Sequence, residues 1–96
     1  MTALLTLELR IEGAHSLKDR RQVLRSMKDK LRARFNVAVA ELDPSDLWQR
    51  ATLGVVSVSH SRDYHHGLME SVERHAHKLA NNVGAEIVDS FVDFQE

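Results

Sequence analysis

Hydrophobic and polar residues alternate along the first part of the chain. The apolar side chains at every second position are Leu5, Leu7, Leu9 and Ile11, and the residues between them are mostly polar. This two-residue period is typical of a strand with one buried face. The pattern predicts a first strand over residues 3–12, which ends at the break formed by Gly13, Ala14 and His15.

Two later segments have the period of a helix. Ser16, followed three residues later by Asp19, is an N-cap with a capping-box-like partner, and apolar residues then recur at Leu24, Met27 and Leu31. We expect this helix over residues 17–34. A second helix is predicted from a cap at Ser61 to about residue 81. Its apolar face is formed by Tyr64, Leu68, Val72, Ala76 and Leu79.

Three further segments are apolar and partly β-branched, and they predict strands over residues 35–42, 50–59 and 85–94. The Asp43-Pro44 pair is a strong turn signal after the first of them. Gly54 inside the second indicates either a bulge or a close backbone approach. Residues 82–84, which include Gly84, tolerate the left-handed conformation that ends many helices.

The predicted order is therefore βαββαβ, the ferredoxin-like arrangement of the α+β class. It implies one domain over residues 1–96, with a four-stranded antiparallel sheet and both helices on one face. The other face of the sheet is then open to solvent or to a partner.

Composition indicates the cellular compartment in which we expect the protein to function. The chain of 96 residues contains no cysteine, no apolar run near the ~20 residues of a membrane helix and no signal-like N-terminus. These features indicate a soluble cytoplasmic protein without membrane contact. A chain this short has a thin stability margin, which makes a homodimer a reasonable expectation.

Charge is distributed unevenly although the net charge is only −1. Eight of the thirteen basic residues lie between Lys18 and Arg34, whereas the chain after Val83 is acidic or neutral. We therefore expect a molecule with one basic and one acidic region.

Five cations on the first predicted helix are the most informative candidate site. The spacing of 3-4-3-4 places on one flank the residues Lys18, Arg21, Arg25, Lys28 and Arg32. At 1.5 Å per residue they form a stripe about 21 Å long, with only Asp29 near enough to offset it. Arg and Lys in a row suit phosphates, so we expect contact with structured RNA. A solvated face, or a face that meets an acidic partner such as the C-terminal strand of another copy, is the alternative.

The contact with RNA is expected to follow its backbone and shape. Base stacking on a βαββαβ sheet uses aromatic residues of the first and third strands, and neither predicted strand has one. No DNA sequence specificity is expected.

Other polar groups predict no catalysis and no cofactor. His66, Glu70, Glu73 and His77 share one outward stripe of the second helix, but His and Glu at helical spacing are common and give only a weak metal signal, so no metal is predicted. Ser16 is explained as a cap, and no phosphate-cradling glycine loop occurs.

Arg20 lies on the inward side of the first helix, where we expect its stem to snorkel at the edge of the core.

Leu47, Trp48 and Arg50 follow the Asp-Pro turn. An aromatic ring in such a polar segment either covers the end of the sheet or anchors a second copy or a protein partner. These three residues are the candidate partner-binding site.

Three motifs resemble those of the small bacterial YlxP-like family of uncharacterised proteins. They are Gly13-Ala14-His15-Ser16-Leu17-Lys18, Phe35-Asn36-Val37-Ala38-Val39-Ala40-Glu41, and Asp46-Leu47-Trp48-Gln49-Arg50-Ala51 followed by Leu53-Gly54. The resemblance covers most of the first sixty residues. It implies a ferredoxin-like fold and, because the genes of this family often lie among those for translation initiation and ribosome maturation factors, an association with RNA or the ribosome. The family implies no catalytic residues.

The sequence thus predicts a small non-enzymatic accessory protein, associated with RNA or the ribosome through the stripe on the first helix. The alternative is a homodimeric or heteromeric interaction module that uses the open sheet face and the Trp48 loop.

Overall fold

The computed structural model describes residues 1–42 and 49–95. It contains six elements in the order β1 (Thr2–Arg10), α1 (Leu17–Arg34), β2 (Ala38–Glu41), β3 (Arg50–Val58), α2 (Arg62–Asn82) and β4 (Glu86–Gln95). The predicted ferredoxin-like fold is confirmed. Neither helix in this part of the chain is long and apolar enough to cross a membrane.

The four strands form one antiparallel sheet in the order β2-β3-β1-β4. Leu5 at the centre of β1 lies opposite Val55 of β3 and Val92 of β4. The register between β1 and β4 shifts between Glu8 and Leu9, so the irregularity of the sheet lies there. No register shift occurs at Gly54. The side chain of Leu42 packs closely against this residue, and a Cβ on Gly54 would lie 2.8 Å from Cδ1 of Leu42.

Both helices cover the same face of the sheet, and the core lies between the two layers. Alternate residues of β1 and β3 point into it, together with one face of each helix. The fully buried large side chains include Leu5, Leu7, Leu9, Met27, Leu31, Leu53, Val55 and Val72. Each such side chain stabilises the fold by about 1.5–3 kcal/mol relative to exposure.

The helix ends are closed by the predicted caps. The Oγ of Ser16 accepts a hydrogen bond from the backbone N of Asp19 at 3.1 Å, and Oδ2 of Asp19 accepts one from the backbone N of His15 at 3.0 Å. Ser61 caps α2 by accepting from the backbone N of Tyr64 at 3.2 Å. Gly84 has a φ of 77°, so it adopts the left-handed conformation expected after α2.

The second strand is shorter than the sequence predicts. The backbone N of Phe35 donates to the carbonyl O of Leu31, and the backbone N of Val37 donates to the carbonyl O of Phe35. Because these groups close the end of α1 and the following turn, they are not free to join the sheet. Pairing with β3 therefore starts only at Ala38.

Arg20 does not snorkel to solvent, contrary to the expectation from its position. Only 5% of the residue is exposed. Its guanidinium group forms an ion pair with the carboxylate of Glu41, and Nε donates to the backbone carbonyl of Arg50 at 3.0 Å. A charged group at this depth needs such partners, because burial without them is costly. The side chain thereby ties α1 to both β2 and β3.

His65 is a second polar residue in the interior. It is 1% exposed, and neither ring nitrogen has a hydrogen-bond partner among the described residues. A buried polar group that lacks any partner costs about 1–3 kcal/mol.

Candidate nucleic-acid interface

The five predicted cations lie along one flank of α1. Four of the five residues are exposed and Lys28 is half-buried. The core face of the helix is formed by Leu24, Met27 and Leu31, all nearly or fully buried. Arg25 follows Leu24 directly, so the stripe is turned about 100° from the direction of the core. The helix therefore carries the cations at its side, where a ligand can reach them.

Most of this charge is not neutralised within the described part of the molecule. Arg32 pairs with Asp29 at 2.6 Å, in a contact that spans three residues of the same helix. Both partners are about half exposed, and such pairs contribute only about 0–1 kcal/mol. Within residues 1–42 and 49–95, no carboxylate forms an ion pair with Lys18, Arg21, Arg25 or Lys28. We call these four residues the free basic stripe.

The acidic part of the chain lies at the other edge of the sheet. The first helix packs against β2, and the second packs against β1 and β4. Because β2 and β4 are the two outer strands, the exposed carboxylates of β4 are far from α1. These carboxylates belong to Glu86, Asp89 and Asp93. The fold thus turns an uneven charge distribution in sequence into a separation in space.

The open face of the sheet is largely apolar at its centre. The cross-strand pairs place Val56 beside Leu4 and Thr6 beside Phe91. The large apolar side chains exposed on this face are Leu4, Leu42, Val56, Val58 and Phe91. Phe91 belongs to β4. Neither β1 nor β3 contains an aromatic residue, as expected. The carboxylates of β4 that flank Phe91 make this face unfavourable for nucleic acid.

The candidate partner-binding residues are only partly described. Leu47 and Trp48 lie outside the described residues. Arg50 begins β3, where it is exposed and lies opposite Arg10 of β1. The backbone carbonyl of Arg50 accepts a hydrogen bond from Nε of Arg20, whereas the Arg50 side chain is exposed.

The histidine and glutamate stripe of α2 is not directed outward along its whole length, contrary to the expectation. The ring of His66 stacks on Phe94 of β4 with centroids 4.1 Å apart. Oε1 of Glu73 accepts a hydrogen bond from Oγ of Ser90 at 3.0 Å. In the chain outside residues 43–48 and 96, no three His, Asp or Glu side chains are close enough together to hold a metal ion.

A second basic cluster, which the sequence did not indicate, lies where the end of α1 meets the middle of α2. It surrounds a concavity lined by Arg34, Phe35, Ser71, Arg74, His75 and Lys78. The i,i+4 spacing of Arg74 and Lys78 is visible in the sequence. Their proximity to Arg34 results only from the packing of the two helices.

The sheet order and the two covering helices define a small ferredoxin-like protein. Solved structures with this fold are similar over the whole chain. One is a structural-genomics protein YJCS, with a TM-score of 0.61, 10% identity and full coverage of both chains. Another is the de novo designed protein LFR1 1 with ferredoxin fold, with a TM-score of 0.61, 11% identity and coverage of 99% and 87%.

A third is a C-terminal segment of the alpha subunit of aIF2 from Pyrococcus abyssi. It has a TM-score of 0.54 and 12% identity, and the similarity covers all of this chain and 51% of that one. At such low identities these similarities establish the fold alone.

The chain belongs to the DUF503 family of proteins of unknown function, whose family model matches residues 2–91. It is also 40% identical over 52 residues to the uncharacterised protein YlxP of Bacillus subtilis (strain 168). That match covers 54% of this chain and 56% of the relative, so it spans just over half the length of the relative. The resemblance found in the sequence motifs is confirmed, and the family match extends it through α2 and into β4.

Proposed function

We propose that this protein is a small non-enzymatic accessory protein that binds structured RNA, such as ribosomal RNA, through the stripe from Lys18 to Arg32. The observation that supports the proposal most is the free basic stripe: four cations on one accessible flank of α1 without a described carboxylate partner. Like charges at i,i+4 destabilise a helix by a few tenths of a kcal/mol per pair, so an external anion is the simplest reason for them.

The geometry suits a polyanion that runs along the helix. Successive cations of the stripe are three or four residues apart, which is close to one helical turn of 5.4 Å. The guanidinium groups of Arg21 and Arg25 can each hold two oxygens of one phosphate, and Lys18 and Lys28 act as point charges. Contacts with phosphates carry no sequence information, so binding should depend on the shape of the RNA.

Binding of RNA should weaken steeply as salt is added. Each phosphate that is neutralised releases counterions, which lowers log K by roughly 0.7–0.9 per tenfold increase in salt. Four contacts predict a slope of about −3. The measurement is fluorescence anisotropy with a structured RNA hairpin over a range of potassium chloride concentrations. Absence of binding, or a slope near zero, would contradict the proposal.

Recovery of the protein from a cell lysate gives an independent check. RNA should accompany it in the untreated sample, and proteins held only through that RNA should be lost after nuclease treatment.

The open sheet face favours a second candidate function, an interaction module in which two copies associate through their sheets. A contiguous group of five exposed large apolar side chains is unusual for a surface that meets only water. In this case the basic stripe serves solubility, and Trp48 adds to the interface.

Replacing Phe91 with serine should weaken self-association at least about tenfold if this second candidate is right, because aromatic anchors dominate such interfaces. Tyr64→Ser is the matched control, since Tyr64 is similarly exposed, 51% against 55%, but lies on α2. Sedimentation velocity of both variants and of Trp48→Ala, at several salt concentrations, measures the effect. A wild-type monomer under all conditions would exclude the module as a homodimer.

A further inference from the structure

We propose that the concavity between the C-terminal end of α1 and the middle of α2 is a binding site for a single phosphate group. This site lies outside the stripe used in the proposed function. It is formed by two elements that are distant in sequence, and its side chains provide donors and positive charge.

Several contacts position the donors around the concavity. The guanidinium carbon of Arg34 lies 5.7 Å from the centroid of the Phe35 ring, a distance typical of a cation–π contact. The same ring packs edge to face against His75, with centroids 5.8 Å apart. One guanidinium nitrogen of Arg74 donates to Oγ of Ser71 at 3.3 Å. The hydroxyl hydrogen of Ser71 is then free to be donated to a ligand.

The charged side chains that line the concavity, Arg34, Arg74 and Lys78, are all positive. Among the described residues, no Asp or Glu lines it. In the described part of the chain, Arg34, Arg74 and Lys78 take part in no ion pair. Arg74 and Lys78 are four residues apart on α2, where like charges repel each other. A bound anion would relieve this repulsion.

The size of the concavity selects a small ligand. Its volume is about 210 Å³. This is below the roughly 300–1,000 Å³ of sites that enclose a drug-sized molecule. Two arginines suit the planar oxygen pairs of a phosphate, and a lysine and a hydroxyl can complete its shell. A phosphate group fits the space and the donors, whether it is free or is the terminal phosphate of an RNA.

The site is separate from the free basic stripe. Arg34 is nine residues beyond Arg25 on the same helix, and nine residues correspond to a rotation of about 180°. A straight nucleic acid lying on the stripe therefore does not reach the concavity. Loss of binding at one of the two places need not affect the other.

His75 should report occupation of the site. Burial, followed by the positive charges of Arg34 and Lys78, lowers the pKa of His75 below its ordinary value of 6.5. Arg74 adds a further positive charge from the same helix. An anion held among these groups offsets their charge, so the pKa of His75 should rise on binding.

The test is an NMR titration of the His75 ring with inorganic phosphate, with potassium chloride of equal ionic strength as the reference. A saturable shift of the ring resonances, with a raised pKa for His75, is the expected result. In the variant Arg74→Gln/Lys78→Gln the apparent affinity should fall at least tenfold. In Arg10→Gln, which removes a charge on the sheet face, the affinity should be unchanged.

Two RNA oligomers, one with a 5′-phosphate and one with a 5′-hydroxyl, distinguish the sources of the phosphate. A preference for the phosphorylated oligomer assigns the site to an RNA end, and saturation by inorganic phosphate alone assigns it to a small phosphate compound. The proposal is overturned if phosphate acts no differently from chloride, or if Arg74→Gln/Lys78→Gln binds as well as the wild type. The hairpin assay tests the stripe and does not involve His75. A failure of the RNA-binding proposal is therefore distinguishable from a failure of the phosphate site.

Discussion

Replacing Arg21, Arg25 and Lys28 together with glutamine should lower the affinity for structured RNA about 50-fold near 0.2 M salt. The estimate follows from three phosphate contacts, each of which contributes roughly 0.8 to the salt slope. The slope itself should become shallower by about 2–3. The fold should be retained, because two of these residues are exposed, the third is half-buried, and none has a described ion-pair partner.

A control with the same change in net charge separates a local contact from a general electrostatic effect. Arg10→Gln, Lys30→Gln and Arg50→Gln remove three positive charges from exposed positions outside the stripe. Arg50→Gln retains the backbone carbonyl that accepts the hydrogen bond from Nε of Arg20. Anisotropy should show nearly wild-type binding for the control. Equal losses in both triple variants would mean that the stripe is not the binding site.

Replacing Arg20 with alanine should destabilise the fold by about 3–5 kcal/mol. The substitution leaves the carboxylate of Glu41 without its partner, although this side chain is only 23% exposed. It also removes the donor to the carbonyl of Arg50 and so loosens α1 from β2 and β3. The effect is large relative to the ~5–15 kcal/mol that typically stabilises a domain. Chemical denaturation followed by circular dichroism measures it.

A double variant shows whether the loss comes from the unpaired carboxylate. Replacing the pair by apolar residues, as Arg20→Met with Glu41→Leu, should recover most of the stability, since exchange of a buried ion pair for hydrophobic side chains is often neutral or stabilising. If the double variant is as unstable as Arg20→Ala, the pair contributes through shape and packing. If Arg20→Ala itself unfolds like the wild type, the buried ion pair does not stabilise the protein.

The candidate stripe was predictable because it depends only on local geometry. Once the capped apolar pattern defines a helix from Leu17 to Arg34, the period of 3.6 residues determines which cations share a flank. The neutralisation of Arg32 by Asp29 is also local, three residues apart on one helix. The availability of the other four cations was not predictable, because a carboxylate from any part of the chain could have reached them.

The amino-acid sequence by itself determined the elements, their order and the caps at Ser16, Ser61 and Gly84. These features arise from side-chain periodicity and from hydrogen bonds between close neighbours in the chain, so a short window of sequence contains their cause. The chirality of the crossovers then leaves few arrangements for a βαββαβ chain.

Only the tertiary structure decided which distant groups meet. It buried Arg20 against Glu41 and stacked His66 of the histidine and glutamate stripe on β4. It also placed Arg34 around the same concavity as Arg74 and Lys78. It also placed Leu4, Val56 and Phe91 together on the open face. The physical reason is that each of these contacts depends on strand register and helix packing, which are properties of the whole chain and have no signature in any single segment.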